Sequence, residues 1–146
     1  MSVHLQERAS GRPTRQEDFN KSLVESAFQD VFASDAFDEG AIARYFSPQY
    51  VQKTDGRTLD FPGFVAHVRE LKRTLKNVKI TFERAVAEGA NVFSIHRAEA
   101  EKVAGGRISV RVFALFAIDE DKIVLCDELT RLEQGVSEDR DLASRL

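Results

Sequence analysis

Near the end of the chain stands the stretch Ile123-Val124-Leu125-Cys126-Asp127-Glu128-Leu129-Thr130-Arg131-Leu132. Its many β-branched and apolar residues predict a strand, but two adjacent carboxylates, Asp127 and Glu128, interrupt it. Neighbouring strand residues point to opposite faces of a sheet, so the two acids face different environments. If both faces are partly covered, one carboxylate lies over an apolar interior, where it must be paired, protonated or used chemically.

Three similar segments precede this stretch, and with it they predict four successive strands. The segments span residues 78–87, 90–103, 107–118 and 122–132, and Gly-rich or Asp-rich turn signals separate them. Consecutive strands joined by short turns form an antiparallel meander. The second half of the chain is therefore expected to be a four-stranded sheet.

The first half has helical spacing. A helix is predicted from Gln16 over about four turns, because apolar residues recur three and four positions apart. Its stripe comprises Phe19, Leu23, Ala27, Phe28, Val31 and Phe32. A second helix is predicted from Asp38 to Phe46, ended by Ser47-Pro48.

A short strand, Tyr50 to Thr54, follows, and Asp55-Gly56 is a turn signal that returns the chain through residues 58–60. Asp60 is expected to cap a third helix that runs to about Lys76. The order of elements predicts an α+β domain in which three helices pack on one face of a curved sheet.

Length and composition fit one domain at residues 16–133, with 146 residues in all, 42% hydrophobic residues and eleven Phe to fill a core. Residues 1–15 are expected to form a mobile arm and residues 134–146 a charged tail. The formal net charge of -3 argues against nucleic acid as a partner. The longest apolar run, Val112 to Ile118, is too short to span a membrane. Cys126 stands alone, so no internal disulfide forms and a cytoplasmic location is expected.

Several passages resemble the nuclear transport factor 2-like superfamily, in its SnoaL-like branch. They are Tyr45-Phe46-Ser47-Pro48-Gln49-Tyr50-Val51-Gln52, the Asp55-Gly56 turn, Phe64-Val65-Ala66-His67 and the closing meander. The Asp127 to Thr130 passage, with the Asp139 to Leu142 tail, is similar to an uncharacterised bacterial subgroup. The resemblance covers about residues 16–133 and concerns the order of elements more than any single motif.

The resemblance implies a cone-shaped, strongly curved antiparallel sheet: the meander plus short N-terminal strands, wrapped around the helices. It also implies a mostly apolar cavity at the open end and a homodimer through the sheet face. Activities in this superfamily include isomerisation, ring closure, dehydration, epoxide hydrolysis and binding without catalysis, so the fold does not decide the function. Lys53 stands where SnoaL-like relatives often have a His, and Ala114 where isomerases have an acid. The isomerase constellation is therefore not reproduced.

The face on which Glu128 lies can be argued in two ways. Hydrophobicity favours an inward row of Ile123, Leu125, Asp127 and Leu129. The resemblance favours the other row, which contains Cys126, Glu128 and Thr130, because the convex face of such sheets can use the apolar row for a dimer contact. This second register aims Glu128 at the cavity and is the one predicted.

His96 is the second candidate for chemistry. It shares a strand face with Val92, Ser94, Ala98 and Ala100, whose small side chains would leave room for a ligand. A His beside a buried Glu can exchange protons with a substrate near neutral pH, so Glu128 and His96 are the predicted catalytic pair. The predicted ligand-binding residues are Tyr50, Gln52, His67, Thr130 and Cys126.

The three His residues lack the spacing of metal ligands, and no metal or cofactor is expected. Three kinds of function remain open. They are a cofactor-independent isomerase, cyclase or dehydratase acting on a small hydrophobic molecule, a binding protein for such a molecule, and a dimerisation or protein-interaction domain. The sequence favours ligand binding in the cavity first, and acid–base catalysis on the bound molecule second.

Overall fold

The computed structural model describes residues 11–136 and Asp139. The helices are α1 (Arg15–Phe28), α2 (Glu39–Tyr45) and α3 (Phe61–Thr74), and a π-helical turn, Gln29–Ala33, extends α1. The strands are β1 (Phe46–Thr54), β2 (Arg57–Leu59), β3 (Leu75–Glu88), β4 (Asn91–Lys102), β5 (Arg107–Asp119) and β6 (Lys122–Gln134). Most of the predicted arm and tail lies outside the described residues.

One six-stranded sheet has the order β2-β1-β6-β5-β4-β3. The meander is antiparallel throughout, as predicted, but β1 pairs with β6 in parallel. This parallel pair corrects the expectation of a fully antiparallel sheet. It arises because α3 carries the chain to the far edge, from which four alternating strands return to β1. Bulges in β3 and β6 bend the sheet, in agreement with the predicted curvature.

The first helix begins one residue before the predicted start. Thr14 and Glu17 form a capping box, in which Thr14 Oγ1 accepts from the Glu17 N–H and Glu17 Oε1 accepts from the Thr14 N–H. Leu23, Ala27 and the following apolar residues are buried as expected. Phe19 was wrongly placed in the stripe, because it lies on the solvent side of α1 with 46% of its surface exposed.

The strand β1 begins at Phe46, four residues before the predicted Tyr50. Ser47-Pro48 does end α2, since the helix stops at Tyr45. Pro48 lies within β1 where the pairing with β6 is irregular, between Phe46 and Val51, so its missing N–H breaks no ladder. A Pro at such a position does not exclude a strand.

The turn after β1 and the cap of α3 are both confirmed. Asp55 and Gly56 have positive φ angles, 49° and 85°, and connect β1 with the antiparallel β2. The Asp60 carboxylate accepts from the Gly63 N–H at 2.9 Å and begins α3. These two features place α3 over the edge of the sheet formed by β1 and β2.

The helices cover the inner face of the sheet. The row predicted to face inward from β4, Val92, Ser94, His96, Ala98 and Ala100, is buried. Phe28 of α1 lies directly against it, with its ring centroid 4.9 Å from that of His96 and 5.5 Å from that of Phe116. Large aromatic side chains therefore fill the space that the small residues of β4 leave, and no ligand cavity is needed to explain that row.

Candidate functional site

Glu128 lies on the inner face of β6, in the predicted register. Glu128 is only 4% exposed, and Cys126, two residues earlier, is also buried. Asp127 is exposed, and so is Leu129, with 66% of its surface accessible. Hydrophobicity alone would have chosen the wrong face for Glu128, because Leu129 lies on the outer side with Asp127. A bulge at Val124 shifts the register, so that Ile123 of the same predicted row is buried in the core.

The carboxylate of Glu128 has two hydrogen-bond donors, and both are neutral. Thr54 Oγ1 donates to Oε1 at 2.9 Å, and Cys126 Sγ donates to Oε2 at 3.6 Å. The parallel register sets Thr54 directly opposite Glu128 and Gln52 opposite Cys126. Arg111, on the neighbouring strand β5, pairs with Glu83 and not with Glu128.

Burial without a cation changes the acidity of Glu128. Removal from water raises its pKa from 4.5 to about 7, against the hydrogen bonds from Thr54 and Cys126, which lower it. The negative charges of Asp55 and Asp127 add to the rise. Glu128 therefore exchanges a proton in the neutral pH range, as an acid–base group does.

A cavity of about 410 Å³ opens between β1, β2 and α3. We call it the edge pocket, and its lining is Gln52, Thr54, Arg57, Thr58, Leu59, Gly63, Ala66, His67 and Glu70. Gln52 and His67 are predicted ligand-binding residues. The carboxylate of Glu128 lies directly behind the wall of the pocket, hydrogen-bonded to Thr54.

Five buried polar side chains lie next to one another behind the pocket, and we call them the polar arc: Gln52, Tyr50, Cys126, Glu128 and Thr54. The Tyr50 hydroxyl donates to Gln52 Oε1 at 2.9 Å. Its oxygen lies next to the Cys126 thiol. Burial raises the pKa of Tyr50 and of Cys126 well above their usual values, so both are neutral. The two ends of the arc, Gln52 and Thr54, line the pocket.

His96 lies in a different environment. Its Nδ1 is 3.0 Å from Ser94 Oγ, and its ring packs against Phe28 and Phe82. Its Nε2 has no hydrogen-bond partner among the residues that the structure describes. Burial lowers the pKa of His96 from 6.5 to about 4, so the ring is neutral at physiological pH. His96 and Glu128 share the inner face but hydrogen-bond elsewhere, so the expected dyad is not formed. A catalytic role for either residue stays a prediction.

The structure places the remaining predicted ligand-binding residues, Thr130, Tyr50 and Cys126, outside the lining of the edge pocket. Thr130 Oγ1 donates to Asp55 Oδ2 at 2.5 Å, and the Thr130 N–H donates to Asp55 Oδ1, so Thr130 anchors the β1–β2 turn. Tyr50 and Cys126 stand behind the pocket rather than in its lining. Their part in ligand binding would be to hold Gln52 and Glu128.

Thr54 is the site residue that sequence reasoning missed. A Thr at the end of a short strand gives no signal of its own, because Thr is common in strands. Only the parallel pairing of β1 with β6, 74 residues apart in sequence, brings its hydroxyl to Glu128. A prediction of that parallel pair would have identified it.

Within residues 11–136 and at Asp139, no three His, Cys, Asp or Glu side chains are grouped so that they could hold a metal ion. In the same part of the chain, every helix is too short or too polar to cross a bilayer.

A family model described as "SnoaL-like domain" matches residues 24–126. An uncharacterised protein of the fission yeast Schizosaccharomyces pombe is 28% identical over 125 residues, covering 86% of this chain and 95% of the relative. The bacterial subgroup suggested by the sequence thus stays a prediction.

Two solved structures are similar at 15% identity. An LEH-like epoxide hydrolase of Mycobacterium tuberculosis has a TM-score of 0.68 and covers 80% of this chain and 85% of its own. A protein of Jannaschia sp. CCS1, provisionally assigned as a SnoaL-like polyketide cyclase, has a TM-score of 0.69, with 82% and 90% covered. At this identity the likeness concerns the fold alone.

Proposed function

The chain belongs to the SnoaL-like domain family of the nuclear transport factor 2-like superfamily, and on this premise we propose that it binds a small organic molecule in the edge pocket and acts on it by proton transfer. The observation that carries the proposal is Glu128, a buried acid with a pKa of about 7 whose carboxylate is hydrogen-bonded to a side chain of the pocket wall. Such a perturbed group beside a cavity is typical of a functional site.

The geometry supports a step that passes through Thr54. A substrate proton moves to Thr54 Oγ1 while the hydrogen of the Thr54 hydroxyl moves to Glu128 Oε1, so the substrate gains the negative charge that Glu128 loses. Reversal returns the proton to another atom of the substrate, which completes an isomerisation, a ring closure or the start of an elimination. The step uses no cofactor. Cyclase and epoxide hydrolase are named functions of the two structural neighbours, and both are compatible with proton transfer.

Blocking the edge pocket is expected to abolish binding. Ala66 is an exposed, pocket-lining residue of α3, so Ala66→Phe would fill the cavity while leaving the core intact. The measurement is a screen of small oxygenated molecules by saturation-transfer NMR, with amide shifts mapped on the chain. Ligands that shift Gln52, Thr54 or His67 should lose at least about tenfold in affinity in the variant.

The matched control is Ala43→Phe, an exposed alanine of α2 outside the edge pocket. This variant should bind the same ligands as the wild type. Ligands that bind Ala66→Phe and the wild type equally would show that the edge pocket is not the site.

A second candidate function, dimerisation, rests on the outer face of the sheet. There the strand register aligns Val86, Phe93 and Leu115 in one row and Ile95, Phe113 and Leu129 in the next. Phe93 and Phe113 are both 39% exposed, and their rings are 6.5 Å apart. A contiguous apolar patch of this kind is typical of a protein interface, and we propose that a second copy of the chain covers it.

The oligomeric state in solution tests this proposal. The wild type is expected to sediment as a dimer and Phe113→Lys as a monomer, because the substitution places a charge in the middle of the patch. Phe19→Lys, an exposed Phe on the helical side of the molecule, should remain dimeric. A monomeric wild type at its highest soluble concentration would remove the proposal.

A further inference from the structure

The two ends of the polar arc present different hydrogen-bonding groups to the edge pocket. Gln52 and Thr54 are two residues apart on β1 and therefore share a face, with their Cα atoms roughly 7 Å apart. The buried partners of each side chain decide which of its atoms is left for a ligand. The free donors and acceptors of the pocket lining therefore indicate which hydrogen-bonding groups a ligand must have.

Gln52 offers a donor. Its carboxamide oxygen accepts from the Tyr50 hydroxyl, which burial keeps protonated. Its NH₂ group carries the remaining hydrogens of the side chain, and the pocket is the open space beside it. A ligand group next to Gln52 must therefore be an acceptor, such as a carbonyl oxygen.

Thr54 offers an acceptor as long as Glu128 is ionised. A carboxylate can only accept, so the single hydrogen of the Thr54 hydroxyl is directed at Glu128 Oε1, and the lone pairs of Oγ1 are left for the pocket. When Glu128 gains a proton on Oε1, the same contact reverses. Glu128 then donates to Thr54, and the Thr54 hydroxyl is free to donate into the pocket.

We infer that the edge pocket selects a small molecule with a carbonyl oxygen at Gln52 and a hydroxyl group at Thr54, and that protonation of Glu128 changes the requirement at Thr54 from a hydrogen-bond donor to an acceptor, which a carbonyl supplies as well as a hydroxyl. The inference rests on the proposed function, because it specifies the ligand of the same pocket. It adds a ligand class, the hydroxy ketones, and a role for Thr54 in specificity. The expectation of a mostly apolar ligand is thereby narrowed to one with two oxygens on opposite sides.

The other titratable groups near Glu128 leave this assignment intact. On β1 and β6, Tyr50 and Cys126 stay protonated, while Asp55 and Asp127 act through their negative charge and raise the pKa of Glu128. Arg57, His67 and Glu70 line the pocket itself. His67 is ionisable as well, so the experiment must separate its effect from that of Glu128.

Two fragments that differ in one group test the inference: 4-hydroxycyclohexanone, with one carbonyl and one hydroxyl, and the corresponding 1,4-dione, with two carbonyls. Their affinities are measured by amide shift titration at about pH 8.5 and about pH 5.5, on either side of the transition of Glu128. At the higher pH the hydroxy ketone should bind about tenfold more tightly than the dione. The dione places a carbonyl oxygen against Thr54 Oγ1, and two acceptors then face each other without a hydrogen between them. At the lower pH this preference should disappear or reverse.

Two variants locate the effect. In Glu128→Gln, position 128 cannot titrate but His67 is still present. The preference of this variant for the hydroxy ketone over the dione should therefore be the same at both pH values. Thr54→Val should show no preference at either pH. A pH-dependent preference that persists in Glu128→Gln would assign the effect to His67 and overturn the inference.

The outcomes also separate this inference from the proposed function. If both fragments shift the resonances of Gln52 and Thr54 with a ratio that does not change with pH, the edge pocket binds ligands but the inference is wrong. If neither fragment shifts any pocket residue at either pH, the inference and the proposed pocket are both overturned.

Discussion

Replacing Glu128 by Gln is expected to increase the free energy of unfolding by about 3 kcal/mol at about pH 8.5, although the residue is the proposed acid–base group. Glutamine has almost the same shape, and its amide oxygen can accept from Thr54 as the carboxylate does. What it removes is a buried negative charge whose hydrogen-bond donors, Thr54 and Cys126, are both uncharged. A single negative charge in such a place destabilises the native state.

The sign follows from proton linkage. The pKa of Glu128 is about 7 in the folded chain, above its ordinary value of 4.5, so the folded state holds the proton more tightly. This tighter proton binding by Glu128 adds to the free energy of unfolding. The added stability is fully present below about pH 4.5 and is lost as the pH rises through 7. The difference between Glu128→Gln and wild type should therefore be near zero at about pH 4 and reach its full value above about pH 8.

The measurement is urea unfolding of both proteins across this pH range. Asp127→Asn is the matched control, because Asp127 is adjacent but exposed, and its effect should stay within about 0.5 kcal/mol at every pH. A Glu128→Gln difference that does not vary with pH would mean that Glu128 is ionised with an ordinary pKa. In that case the basis of the proposed function would be lost.

If replacing Glu128 stabilises the protein, the acid has a role other than folding. Residues selected only for folding rarely include an unpaired buried carboxylate, since an apolar or neutral residue of similar volume is more stable. Within the described part of the chain, the hydrogen bonds to the Glu128 carboxylate come from Thr54 and Cys126, and neither donor is a cation. The retained acid is therefore an argument for chemistry at this place in the fold.

The meander and the third helix were predictable from the sequence because their signals are local. Gly89, Gly105 and Gly106 adopt positive φ angles in the turns between strands, and Asp60 caps α3 as its position suggested. The start of β1 and the exposure of Phe19 were not predictable in this way. Both depend on which surface the rest of the chain covers, and apolar periodicity alone does not contain that information.

The site was predictable only in part, for the same reason. Glu128 was identifiable because two adjacent acids in an apolar strand force one of them inward. Its partner Thr54 and the polar arc depend on the parallel pairing of β1 with β6, a contact between distant parts of the sequence. Glu128 and His96 share the inner face, but Phe28 and Phe82 pack against the His96 ring and the hydrogen bonds of Glu128 come from Thr54 and Cys126, so a joint catalytic role for the two residues stays a prediction.

His96 is expected to oppose Glu128 in the pH dependence of stability. The pKa of His96 is lowered from 6.5 to about 4 in the folded chain, so its contribution is present above about pH 6.5 and is lost as the pH falls through 4. A shift of this size corresponds to about 3 kcal/mol. Between about pH 4.5 and about pH 6.5 the two groups change stability in opposite directions, and their effects nearly cancel.

Substituting one of the two residues at a time should reveal how the other changes the free energy of unfolding with pH. The unfolding free energy of Glu128→Gln should fall by about 3 kcal/mol more than that of wild type between about pH 7 and about pH 4, because His96 is then no longer opposed. His96→Met, an apolar side chain of similar length, should show the reverse, with stability rising as the pH is lowered. NMR titration of the His96 ring in the wild type needs no substitution and gives an independent result. A midpoint near 6.5 there would contradict the burial of an uncharged ring with an unpartnered Nε2.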